Sequence, residues 1–131
     1  MNASKCNLGV GGSHALAHLI KESPILEELV ISSNKLKVEG ARIIAKSIEE
    51  SKSLKILDIS SNIIRDKGMK AITEGVFESN SLQILSVKNN ELKDEAFNEF
   101  IKTYMGHPAT NLKTSLFSSN DISIYSLRLT A

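Results

Sequence analysis

A pattern of the form L-x-x-L-x-I-x-x-N-x-L begins at Leu26 and returns 28 residues later. A chain with a fixed period of this length builds its core by stacking similar units, so the period decides the architecture before any local reading. The first copy places Leu26, Leu29, Ile31, Asn34 and Leu36; the second Leu54, Leu57, Ile59, Asn62 and Ile64; the third Leu82, Leu85, Val87, Asn90 and Leu92. A fourth follows after 30 residues, with Leu112, Ser115, Phe117, Asn120 and Ile122. In it Ser115 stands where leucine is expected, and the lengthened connection contains Gly106 and Pro108. Stepping back 28 positions from Asn34 reaches Cys6, followed by Leu8 at the matching offset.

Each unit has two registers. Its first half alternates apolar residues with period two, as at Leu29 and Ile31, and reads as a short strand. In its second half Gly12, Gly40, Gly68 and Ala96 share one phase. Apolar residues follow them at helical spacing: Leu16, Ala17 and Ile20; Ile44, Ala45 and Ile48; Ile72 and Val76; Phe100, Ile101 and Tyr104. The spacing predicts strands near 26–34, 54–62, 82–90 and 112–120, helices near 11–22, 39–51, 67–78 and 94–105, and an irregular tail over 123–131, all in one domain spanning 1–131.

Composition removes several classes of function. With 41% apolar and 24% charged residues the chain belongs among ordinary globular domains. Sixteen Lys and Arg against fifteen Asp and Glu leave a net charge of +1, which offers no chain-wide attraction to nucleic acid or to an anionic membrane. One cysteine, Cys6, forms no internal disulfide, and the start of the chain lacks the apolar run of a signal peptide. No stretch approaches the roughly 18 apolar residues of a spanning helix. A cytoplasmic location is expected, without nucleic acid or membrane as partner.

The three agreeing units, with strand leucines, a recurring asparagine and a helix glycine in one phase, resemble the ribonuclease-inhibitor-like class of leucine-rich repeats over about residues 6–122. The resemblance implies an α/β leucine-rich-repeat solenoid of about four repeats. It is a right-handed βα superhelix with parallel strands on the concave face and helices on the convex face. It also implies that Asn34, Asn62, Asn90 and Asn120 form a structural ladder under the turn, with Cys6 in the same slot. A side-chain amide suits that place because it offers both a donor and an acceptor.

Strand alternation then assigns the outward columns of the concave face. The first contains Glu28, Ile56, Ile84 and Thr114, the second Val30, Asp58, Ser86 and Leu116, the third Ser32, Ser60, Lys88 and Ser118. Glu27, Lys55, Gln83, Asn89 and Lys113 lie near the margins. Val30, Ile56, Ile84 and Leu116 are apolar where the fold has no need to bury them, and such a patch marks a contact. Glu28, Val30, Ile56, Asp58, Ile84, Ser86, Lys88 and Leu116 are therefore the candidate protein-binding residues, with Ile56 and Ile84 as anchors.

Catalytic constellations are not assembled by this sequence. His14 and His18 stand four apart on one helix, but their columns continue as Arg42, Lys70, Asn98 and as Lys46, Glu74, Lys102, which are solvent positions; no metal site follows. Gly11-Gly12 lacks the lysine and spacing of a phosphate loop. No histidine lies in phase with Cys6 to raise its thiolate fraction. Asp66 and Asp94 precede helices and suit N-capping, whereas Val10 and Val38 in the same phase leave the first two helices less firmly started. Because no polar cap precedes the first unit, the apolar edge around Leu8, Leu16 and Ile20 is expected to be partly uncovered, as in a longer array or a homo-dimer contact.

The expected function is binding of a protein partner through the concave face, without catalysis or cofactor. The resemblance class also contains GTPase activators, host-directed bacterial effectors and scaffold segments of cytoskeletal or ciliary assemblies. A regulatory module or a scaffold segment is the alternative, since the shared fold does not choose among them.

Overall fold

The computed structural model describes residues 1–107, 110–122 and 126–128, the last three through their backbone. Helix α1 (Gly9–Glu22) is followed by strand β1 (Glu28–Val30), α2 (Lys37–Glu50), β2 (Ile56–Asp58), α3 (Arg65–Glu78), β3 (Ile84–Ser86), α4 (Asp94–Met105), β4 (Thr114–Leu116) and β5 (Ser126–Arg128). Strands β1 to β4 are parallel and pair in chain order, so each unit lies beside the one before it. Registers follow the repeat: Leu29 lies beside Leu57, Leu57 beside Leu85 and Leu85 beside Ser115. Packed helices need about 8–10 Å between axes while strands sit about 4.8 Å apart, so a stack of such units curves with its strands inside.

One continuous core lies between sheet and helices. Leu29, Leu57 and Leu85 are fully buried in one row, with Ile31, Ile59 and Val87 in the next. In the last unit Ser115 shortens the leucine row, and aromatic rings fill the end instead. Phe97 and Phe100 meet Phe117 edge-on at 5.2 and 5.1 Å, and Phe77 of the preceding helix lies 5.1 Å from Phe100. The Ser115 hydroxyl is buried with no hydrogen-bond partner.

Three sequence expectations need correction. Helices α1, α2 and α3 begin at 9, 37 and 65, two residues before the positions the glycines suggest. Their first helical bonds run from Gly12, Gly40 and Gly68 N–H back to the carbonyls of Leu8, Leu36 and Ile64, which places each glycine at the end of the first turn. No helix takes a side-chain N-cap, and the cap positions are Leu8, Leu36, Ile64 and Lys93. Gly9, Lys37 and Arg65 N–H instead donate to the carbonyls of Asn34, Asn62 and Asn90 in the following unit. Asp66 consequently caps nothing in its own helix; its Oδ1 accepts the Lys93 N–H at 2.9 Å. Asp94 is the first residue of α4 rather than its cap, and α1 and α2, with Val10 and Val38, are as long as α3.

The ends also differ from expectation. Leu16 and Ile20 are 5% and 0% exposed, because the inner face of α1 joins the core, and only Leu8 of the three is half-buried. The backbone of Met1 to Lys5 runs along β1, with Ala3 N–H to Val30 O, Val30 N–H to Met1 O and Lys5 N–H to Ser32 O. The two largest side chains are thereby withdrawn from the self-contact considered for that edge. At the other end, Ser126–Arg128 of the expected irregular tail forms β5, which pairs antiparallel with β4. An edge strand exposes a row of unpaired donors and acceptors, and β5 meets that need. Pro108 and the remainder of the tail lie outside the described residues.

Regular strand is limited to three residues per unit, shorter than the nine expected, because the backbone turns toward the helix just beyond it. Bonds between units continue past each strand, as in Ile31 N–H to Asp58 O and Ser33 N–H to Ser60 O.

Candidate functional site

The outward column Glu28, Ile56, Ile84 and Thr114 runs straight across the sheet, each residue in register with the next. Glu28 is exposed, and Ile56, Ile84 and Thr114 are half-buried. Because their neighbours Leu57 and Leu85 point into the core, alternation turns the two isoleucines outward. Val30, Asp58, Ser86 and Leu116 form the second column. Ser86 must be removed from the candidate binding residues: it is only 8% exposed, and its hydroxyl shares a 2.9 Å hydrogen bond with the Ser60 hydroxyl that overlies it. Asp58 keeps one oxygen occupied by the Ser60 N–H at 2.9 Å, while Lys88 is exposed. Val30 and Leu116 are half-buried, Val30 beside Asn2 and Leu116 beside Ser126.

Below this face the asparagines connect successive units. Asn62 Oδ1 accepts Asn34 N–H at 2.8 Å and Leu36 N–H at 3.4 Å, both from the preceding unit. Its amide nitrogen donates to the carbonyls of Ile31, Ile59 and Ser60. Asn34 treats Cys6 N–H, Leu8 N–H and the carbonyls of Ala3, Ile31 and Ser32 alike. Asn90 accepts from Asn62 and Ile64, and Asn120 from Asn90 and Leu92. Cys6 occupies the slot without performing the role. It is exposed, and its thiol meets only the Ser4 carbonyl, at 3.4 Å.

Sequence reasoning passed over a second set of bonds on the opposite rim. Ser23, Ser51 and Ser79 recur at 28 residues, and each hydroxyl oxygen accepts N–H groups two and three residues ahead, ending its helix and aiming the next strand. The period alone would have found them. Gly75 was also missed: a Cβ there would run into the Ala45 carbonyl, so this glycine lets α3 lie against α2. Less visible in any sequence is the left-handed backbone beside each ladder asparagine, at Ser33 and Lys35, Ser61 and Ile63, and Asn89 and Glu91.

Polar groups on the convex side do not converge. His14 and His18 are exposed on α1. Lys21 reaches Glu50 at 3.0 Å, and that hydrogen bond and opposite charge raise its pKa above the ordinary lysine value. An open cleft of about 600 Å³ near the starts of α3 and α4 mixes Arg65, Lys67 and Lys93 with Asp66, Glu91 and Glu95. Among the described residues no helix is long and apolar enough to cross a membrane.

Comparison with known proteins agrees with this geometry. The family model described as Leucine Rich repeat matches residues 22–45 and 50–72. No curated protein matches the sequence. Among solved structures, the tropomodulin C-terminal domain of Caenorhabditis elegans is similar, with a TM-score of 0.70 and 18% sequence identity. The alignment covers 82% of this chain and 65% of that one. Four strand-and-helix units at a 28-residue period, joined by buried asparagines and matched by that family model, make this chain a leucine-rich-repeat protein.

Proposed function

We propose that this protein is a non-catalytic interaction module that takes up a protein partner on its concave strand face. The observation that carries the reading is the pair Ile56 and Ile84, adjacent in register on the open side of the sheet and half-exposed although the core needs neither. Apolar side chains that the fold leaves beside one another at a surface favour a contact that removes them from water. Glu28, Val30, Asp58, Lys88 and Leu116 frame them, while Ser86 supports the face from below.

The test is affinity capture from lysate with the natural chain beside the Ile56→Ser, Ile84→Ser double variant, both shown folded by circular dichroism. Proteins held by the natural chain and lost from the variant support the reading. Identical captured sets would remove the concave face from consideration.

A further inference from the structure

We propose that the partner segment is an amphipathic helix of about three turns with ordered charge, basic at one end of its binding stripe and acidic at the other. This rests on the concave-face reading above. Charge on the strand face is sorted by unit: Glu28 and Asp58 belong to the first two strands, Lys88 and Lys113 to the last two units. Among the described residues none of these four side chains forms an ion pair. Nearby charges do not blur the order, since Glu27 and Lys55 engage each other at 3.4 Å. The terminal ammonium of Met1 meets the main-chain oxygen of Glu28, not its carboxylate.

Spacing favours a helix over an extended chain. Ile56 and Ile84 sit on neighbouring strands, about 4.8 Å apart. Helical residues three and four apart rise about 4.5 and 6 Å along the axis, whereas same-face residues of an extended chain stand about 6.6 Å apart. Crossing four strands spans about 14 Å, which is about ten helical residues. Apolar residues in the middle of that stripe meet the isoleucines. Cations at one end then face Glu28 and Asp58, and carboxylates at the other face Lys88 and Lys113.

The probe is a displayed library of 14-residue helical peptides with randomised surface positions, selected on the whole chain and rescreened on two variants. One is the Ile56→Ser, Ile84→Ser variant; the other is Glu28→Lys, Asp58→Lys, which makes the whole face basic. We expect binders with aliphatic centres flanked by bases on one side and acids on the other, weakened about tenfold by the lysine pair, with all-acidic peptides enriched on that variant instead. Binders that need the isoleucines but carry no charge order, or that ignore the lysine pair, would overturn this inference and leave the concave-face reading standing. An absence of binders, or binders indifferent to the isoleucines, would overturn both.

Discussion

Asn62 is fully buried and joins two units through one amide, accepting two backbone N–H groups and donating to three carbonyls. Replacing it with alanine leaves the buried Asn34 N–H without an acceptor, and an orphaned buried group costs about 1–3 kcal/mol, with the lost carbonyl bonds adding to it. Asn62→Ala should therefore lower the urea midpoint by more than an exposed substitution does, and an unchanged midpoint would deny the ladder its structural weight. Lys35 offers the opposite case. It is exposed with φ of 55°, a conformation that disfavours a Cβ by about 1–2 kcal/mol and that asparagine tolerates better. Lys35→Asn should raise the melting temperature by a degree or more, since no packing is given up.

At the scale of elements, close helix packing in the middle of the stack depends on what is missing from Gly75. Gly75→Ala forces α3 away from the Ala45 carbonyl and should cost about 1–3 kcal/mol despite alanine's better helix propensity. Gly11→Ala on α1 meets nothing within 4 Å and should stabilise by up to about 1 kcal/mol, so denaturation of the two variants should move in opposite directions. Units and core were legible in the sequence because burial imposes a repeating chemical demand: Leu29, Leu57 and Leu85 fill one row, and only an apolar residue fits each place. The helix starts were not. Asp66 has the chemistry of a cap, but the donors it would serve are already met by a neighbouring unit's backbone, which a single segment does not display. Ser86 failed for a related reason. Alternation places it outward, yet its short side chain is roofed by Ser60 from the adjacent strand. Ile56 and Ile84 could be placed from period and alternation alone, since both follow from the backbone.

For the whole molecule, stability is shared among neighbours rather than lodged in one unit. Leu57→Ala, in the middle row, should cost about 2–5 kcal/mol, a large share of the roughly 5–15 kcal/mol typical of a domain, and calorimetry should show the entire chain melting at a lower temperature. Ser115→Ala at the last unit removes a buried hydroxyl with no partner and should raise that temperature modestly. The asparagine bonds also have a direction: Asn34, Asn62, Asn90 and Asn120 each accept from the unit that precedes them. A turn is thus completed only by a residue that comes about 28 positions later in the chain. During synthesis the N-terminal part emerges first. Folding of each newly made unit must then trail the ribosome by a full period, every section staying provisional until its successor has been translated.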